Sequence, residues 1–317
     1  MSEQDWKTHV DRAKKRNVFT AIGIGIAVVL VIVFIGIWQF PHLARISLTS
    51  KKEEPRVALV PDAFKDVPLS AQAAVVYDLT TGKVLYAKNA EAQLPLASLT
   101  KLLTIYAASD DLKDARIPIT ASALLPEGDS GFTIGQTFTF DALAKLALVG
   151  SSNDAAEAIA LAGEEHNKDR RMLASAIQGL GLSQTYTVNG TGLDESSSLS
   201  GGYGSAYDIA ILAGAFVQKM PRVAQATTQS KVTVTSQEGQ SYTLKNTNPD
   251  AENISGLLLS KTGFTDLAGG NLAIVYDAGM YHPIAIVVLG STRDGRFLDV
   301  YNLVRATGQY FSTLSLP

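Results

Sequence analysis

An α+β fold with an antiparallel sheet and flanking helices is what this chain predicts, and three observations carry the prediction. Apolar runs at 73–77 and 84–87 flank a Thr81-Gly82 turn and read as a β-hairpin. Helical periodicity then fills the centre of the chain, from Ser98 onward and again at 140–148, 155–162, 170–180 and 207–217. Strand-like runs follow at 231–235, 241–244, 257–262, 272–276 and 284–289, before a closing helix over 297–310. Consecutive short strands suggest antiparallel pairing, and a helical half inserted after the hairpin separates this class from a doubly wound sheet.

The N-terminus is organised differently. Residues 1–17 are polar and carry Lys7, Arg12, Lys14, Lys15 and Arg16, after which 18–40 runs without a charge and stops against Pro41. As a helix this run reaches about 34 Å, enough to cross a hydrocarbon core of roughly 30 Å. A cleaved signal peptide is the competing reading, but its apolar region would be about 7 to 15 residues long and followed by a small-x-small site. The sequence Trp38-Gln39-Phe40-Pro41-His42-Leu43 offers no such site. The basic cluster before the run exceeds Arg45, Lys51 and Lys52 after it, which predicts a single-pass anchor in the lipid bilayer with a cytoplasmic N-terminus and the remainder outside. Residues 41–70 hold Pro41, Pro55, Pro61 and Pro68 without sustained periodicity and read as a stalk, leaving 71–317 as the folded domain.

Composition narrows the chemistry. The 317 residues are 46% hydrophobic and 18% charged, with a net charge of −3, so a sizeable core is affordable and nucleic acid is an unsuitable partner. Zero cysteines remove disulfides, thiolate nucleophiles and cysteine-based metal sites. The histidines His9, His42, His166 and His282 stand singly, without the spacing of a metallopeptidase, and no cofactor is expected.

The candidate chemistry starts at Leu94-Pro95-Leu96-Ala97-Ser98-Leu99-Thr100-Lys101. The i, i+3 spacing puts Ser98 and Lys101 on one face of a helix, while Leu99, Leu102, Leu103 and Tyr106 form a buried stripe. A serine hydroxyl becomes a good nucleophile when a neighbouring base takes its proton, and a lysine serves as that base only when neutral. Bringing a lysine from about 10.4 to about 7 costs roughly 4 to 5 kcal/mol, which burial together with a second cation can supply. Two further motifs follow in order. Ser151-x-Asn153 falls in the break between two helices, and Lys261-Thr262-Gly263 lies on a strand; spacings of 53 and 110 residues let all three border one cleft. Lys261 would be the second cation.

This ordered trio resembles the penicillin-recognising serine enzymes. From about residue 71 to 311 the chain is similar to the D-alanyl-D-alanine carboxypeptidases, the low-molecular-weight penicillin-binding proteins. Pro95-Leu-Ala-Ser-Leu-Thr-Lys101, Ser152-Asn-Asp-Ala155, Asn189-Gly-Thr-Gly-Leu193 and Lys261-Thr-Gly-Phe-Thr265 carry that likeness. The resemblance implies a β-lactamase/transpeptidase-like fold and a substrate that is a peptidoglycan stem peptide ending in D-Ala-D-Ala, with β-lactams as covalent inhibitors. It assigns Ser98 as nucleophile, Lys101 as its base and Ser151 as proton relay to the departing D-alanine. Asn153 would hold the substrate amide and steady Lys101, and Lys261 and Thr262 would bind the terminal carboxylate. Gly263 would keep the strand edge clear, and the backbone N–H groups of Ser98 and Phe264 would form the oxyanion hole.

Other family-like positions, Asn189, Asn246, Asp208 and Arg296, are expected to make structural hydrogen bonds. Glu195 lacks the Glu-x-x-Leu-Asn loop of a class A β-lactamase. Two alternatives share the same residues: a D,D-endopeptidase that cuts cross-links, and a sensor that is acylated without turnover. Members of the family often carry a further β-rich domain and a C-terminal amphipathic helix. Here the N-terminal span is expected to take over the anchoring.

Overall fold

The computed structural model describes residues 62–128, 130–166, 171–279 and 281–314. The anchor expected at 18–40 and the first part of the expected stalk lie outside the described residues, among which no helix is long and apolar enough to cross a membrane. The predicted hairpin is β1 (Ala73–Asp78) and β2 (Lys83–Lys88). A two-residue strand β3 (Leu94–Pro95) and one 3-10 turn (Ala97–Leu99) lead into α1 (Thr100–Leu112). After the small ribbon of β4 (Arg116–Pro118) and β5 (Thr137–Thr139) come α2 (Phe140–Val149), α3 (Asn153–His166) and α4 (Met172–Leu180). Thr139 caps α2 by accepting from the Ala142 N–H, and Gly181, with φ +66°, ends α4 in the left-handed region that favours glycine. The Gly- and Ser-rich stretch holds β6 (Tyr186–Thr187) and β7 (Gly202–Gly204), followed by α5 (Ala206–Lys219) and the short α6 (Pro221–Ala226). The last part contains β8 (Lys231–Thr235), β9 (Ser241–Lys245), β10 (Leu257–Thr265), β11 (Gly269–Asp277), β12 (Pro283–Ser291) and the long α7 (Gly295–Leu314).

The main sheet has the order β10-β11-β12-β1-β2 and is antiparallel throughout, so the hairpin joins strands from the other end of the chain. Both faces are covered. On β12, Ile284, Ile286 and Val288 point into one apolar cluster with Val300 and Leu303 of α7, while Ala285, Val287 and Leu289 point into the larger cluster beneath the helical half. Ala73 and Val75 against Ala74 and Val76 divide β1 the same way. Period-2 alternation between two dry faces explains why these strands read as unbroken apolar runs.

Not every strand predicted for the sheet joins it. β8 and β9 form a separate hairpin, and the reason is in their pattern: Lys231, Thr233 and Thr235 are exposed while Val234 is buried, so one face stays wet. Its dry face brings Tyr242 against Phe132 and Phe138, with ring centroids 5.0 and 5.5 Å away. Residues 62–70 also depart from an extended stalk. Phe64 is buried against Tyr86 and Tyr310, and the chain is tied down where Asp299 of α7 accepts from the N–H groups of Ser70 and Ala71 at 2.8 and 2.9 Å and from Ser291 Oγ at 2.6 Å.

Asp299 is 2% exposed, so its removal strands the buried Ala71 N–H and the Ser291 hydroxyl and frees the Ser70 N–H. Asp299→Ala is expected to lower unfolding stability by about 2–4 kcal/mol in urea titrations, with hydrogen exchange at Ser70 and Ala71 accelerated more than in β12. Unchanged exchange at those two amides would show that the segment is held by its other contacts, the packing of Phe64 and the bonds from Lys88 and Asn302 to the carbonyls of Leu69 and Pro68.

Candidate active site

Ser98 sits where an edge ribbon turns into a helix. Pairing of Leu94 and Pro95 with Gly204 and Tyr203, together with the Leu96 N–H donating to Gly202 O at 2.9 Å, fixes the approach. Asn271 Nδ2 holds Pro95 O at 2.9 Å from the β11 side. Ala97 then adopts φ +47°, an uncommon conformation for a residue with a side chain, immediately before Ser98. Two glycines make room for it. A Cβ on Gly192 would lie 1.9 Å from Ala97 O, and one on Gly263 would lie 2.8 Å from Leu96 O and 3.3 Å from Ser98 N.

Lys101, one helical turn on, is fully buried, and its Nζ has three neighbours: Ser98 Oγ at 2.8 Å, Asn153 Oδ1 at 2.7 Å and Thr191 O at 2.8 Å. The amide of Asn153 is oriented by its Nδ2 donating to Glu127 O, a carbonyl that can only accept. Two of the three neighbours of Lys101 are therefore obligate acceptors, and the third is a hydroxyl that can donate. A neutral amine has two N–H donors and one lone pair, so it satisfies all three with the lone pair facing Ser98 Oγ. Burial pushes the Lys101 amine down to about 7 from its ordinary 10.5. Burial is the cause of that shift, where the sequence reading had also invoked a second cation.

The remaining predicted residues converge on the same place. Ser151 occupies the break between α2 and α3 with φ +57°, and its Oγ lies 2.8 Å from Lys261 Nζ. Asn153, expected on that turn, is instead the first residue of α3. Lys261 is 1% exposed on β10, and its Nζ also donates to Thr262 O at 2.8 Å. Its amine is held well below the ordinary lysine range, first by burial and then by the charges of Lys101 and Arg296. Thr262 Oγ1 donates to Thr247 Oγ1 at 2.6 Å, and the Thr247 N–H reaches Val149 O at 3.1 Å, tying the strand to the end of α2. Phe264 is 38% exposed, its ring 4.9 Å from the Arg293 guanidinium.

Asn153, Thr191 and Phe264 line a cleft of about 1080 Å³ whose outer walls carry Glu157, Asp194 and Glu195. Asn189 shapes its floor as a structural residue, accepting from the N–H groups of Thr191 and Gly192 and donating to Leu193 O and Glu195. Asn246 and Asp208 likewise bond to neighbouring backbone. Contributions through main-chain carbonyls, Thr191 O and Glu127 O, escaped the sequence reading because a carbonyl has no side-chain signature. Thr247, next to the family-like Asn246, was not among the predicted site residues. Among the described residues, no group of three His, Asp or Glu side chains is placed to hold a metal ion.

Residues 61–292 match the D-alanyl-D-alanine carboxypeptidase family. The chain is 30% identical to the D-alanyl-D-alanine carboxypeptidase DacF of Bacillus subtilis over 74% of its own length and 61% of that protein's. It is 32% identical to the D-alanyl-D-alanine endopeptidase of Pseudomonas aeruginosa, over 76% of this chain and 79% of that one. Penicillin-binding protein D2 of Listeria monocytogenes in its ampicillin-bound form superposes with a TM-score of 0.63 at 29% identity, covering 75% of this chain and 97% of that one.

A lysine whose folded-state pKa is depressed favours the folded chain least at low pH. Between about 10 and about 7 the unfolded chain takes up the proton that the folded site refuses, so stability falls as pH drops through that window. Unfolding free energies of wild type and Lys101→Met, measured at pH 7 and pH 10, should therefore diverge by up to about 1.4 kcal/mol per pH unit, with wild type gaining at pH 10. A pH-independent gap would mean that Lys101 keeps its proton on folding.

Proposed function

The chain belongs to the D-alanyl-D-alanine carboxypeptidase family, and on that premise we propose that it removes the terminal D-alanine from peptidoglycan stem peptides through an acyl-enzyme on Ser98. The observation that carries this reading is the set of three contacts around Lys101, two of them to obligate acceptors, so that the neutral amine keeps its lone pair for the Ser98 hydroxyl. Lys101 takes the hydroxyl proton as Oγ attacks the carbonyl of the terminal D-Ala-D-Ala bond. Ser151, bridged to Lys261, relays the proton that Lys101 took to the nitrogen of the departing D-alanine, so the C–N bond breaks with a neutral amine leaving and Lys101 and Ser151 return to their starting forms. Water then attacks the ester carbonyl as Lys101 accepts its proton, the C–Oγ bond breaks, Lys101 returns the proton to Ser98 Oγ, and the shortened peptide leaves with a free carboxylate. Lys261 and Thr262 receive the terminal carboxylate by charge and hydrogen bond, and Asn153 holds the substrate amide. The Ser98 and Phe264 N–H groups stabilise the oxyanion. The same geometry accepts β-lactams as acylating inhibitors. In this reading residues 18–40 anchor the enzyme in the cell membrane, and the domain works on its outer side.

Endopeptidase action on cross-links is the second reading, supported by the identity with the Pseudomonas protein that bears that name. Which of the two prevails is decided by giving the enzyme both a diacetyl-lysyl-D-Ala-D-Ala peptide and a cross-linked dimer.

D-alanine release from the tripeptide and labelling by a fluorescent penicillin should both vanish in Ser98→Ala. The acylation rate of wild type should rise about tenfold per pH unit up to about 7 and then level, following deprotonation of Lys101. Labelling that persists in folded Ser98→Ala would remove Ser98 from the nucleophile's role. Gly263→Ala should keep the fold but slow acylation, because the added methyl forces β10 away from the Ser98 turn by a few tenths of an ångström; acylation at the wild-type rate would show that the turn yields instead.

A further inference from the structure

Arg296, at the start of α7, is a buried cation that the proposed mechanism does not use. It is 7% exposed, and its Nη1 donates to Gly263 O at 2.6 Å. Among the described residues no carboxylate forms an ion pair with it, and its Nε has no partner. Its guanidinium carbon lies 4.8 Å from the centre of the Phe297 ring. Burying a guanidinium without a carboxylate is costly, so the place where the fold spends that cost is informative.

The direction of two backbone groups gives the reason. In an extended strand the N–H and C=O of one residue point to one edge, and those of the next residue to the other edge. On β10 the N–H of Ser260 meets Thr227 Oγ1 at 2.9 Å, and Thr262 O meets Lys261 Nζ at 2.8 Å. Both contacts lie away from β11, which pairs along the opposite edge. Ser260, Thr262 and Phe264 therefore direct their main-chain groups to the edge that borders Ser98, and Gly263 directs its carbonyl to the edge where Arg296 stands. The Gly263–Phe264 peptide is trans, so its C=O and N–H lie in one plane and point in opposite directions. Holding the carbonyl holds the N–H.

We infer that Arg296 is a positioning residue for the acyl-transfer reaction: by gripping the Gly263 carbonyl it aims the Phe264 N–H at the carbonyl oxygen of the group attached to Ser98. The cation also polarises the peptide unit it holds, which makes that N–H a stronger donor. A glycine at 263 brings the strand close to Ser98; the ladder pairs it with Asn271 of β11, and the guanidinium adds a second, charged hold on its carbonyl. The inference rests on the acyl-enzyme reading above.

Two measurements on full-length Arg296→Gln and wild type test it. In steady-state release of D-alanine, kcat should fall by roughly tenfold to 10²-fold, less than or equal to the cost of deleting one oxyanion donor, while KM changes little. In the infrared spectrum of the penicilloyl-enzyme, the ester carbonyl stretch should move to higher wavenumber, because the carbonyl loses a well-aimed hydrogen bond. A structural role alone would lower thermal stability and the active fraction without shifting that band. Arg296→Lys, which keeps a charge but not the planar fork, should lie between the two; it also replaces the glutamine variant should that one not fold. An unshifted band with kcat within about twofold of wild type overturns the inference. Wild type that forms the penicilloyl-enzyme yet releases no D-alanine would instead count against the carboxypeptidase reading, and the band comparison would still decide the role of Arg296.

Discussion

Lys101 is an amine buried without a carboxylate, and its three contacts come from three separate parts of the chain. The helix α1 and the 3-10 turn that leads into it supply the lysine and Ser98, α3 supplies Asn153, and the loop after β6 supplies the carbonyl of Thr191. Each partner constrains its own element. Asn153 can present its oxygen only because Glu127 O holds its nitrogen, and Thr191 can present its carbonyl only because Asn189 gathers the N–H groups of the same loop. A carboxylate in place of either acceptor would have paired with the lysine and kept it charged. Neutral acceptors let burial dominate, and the amine reaches about 7.

Such an arrangement needs rigid supports, and the fold provides them by covering the main sheet on both faces. β10 is the edge strand nearest Ser98, yet it is backed by β11 and β12, whose residues are buried on both sides. Strained conformations at Ala97 and Ser151, each costing of order 1–3 kcal/mol, persist because their neighbours leave no alternative path. Gly192 and Gly263 let backbone approach the Ser98 turn more closely than any side chain would permit. On the far face α7 closes the smaller core and delivers Arg296 beneath the same strand. The element predicted from the sequence as a simple closing helix therefore contacts the site through the backbone of β10.

How much of this was legible in the sequence depends on which atoms do the work. The hairpin, α1, β10 to β12 and the three motifs were readable because period-2 and period-3.6 patterns and side-chain identities announce them. The separate β8–β9 hairpin was misjudged as part of the main sheet, although its alternating Lys-Val-Thr-Val-Thr pattern differs from the unbroken apolar run of β12. The ribbons β3-β7-β6 and β4-β5 are too short to carry a pattern. Thr191 O and Glu127 O were invisible, since their place depends on how the loops close in space. Arg296 was noticed as a structural residue, but its significance lies in which peptide it holds, and that is a matter of tertiary geometry.

The two buried lysines are coupled, so a substrate carboxylate would change more than its own binding. Lys261 is pushed toward neutrality by burial, by Lys101 and by Arg296. An anion placed beside Lys261 and Thr262 favours the charged form of Lys261. Once Lys261 holds a proton, a proton on Lys101 faces a like charge in a dry setting, and Lys101 is driven further toward the neutral base. The proton that Lys101 later takes from Ser98 meets the same repulsion, which favours its onward transfer toward the leaving nitrogen. Ser151, the hydroxyl in contact with Lys261, stands where that transfer is needed. On the proposed reading, the group that identifies the end of the substrate also prepares the base that activates Ser98 against it.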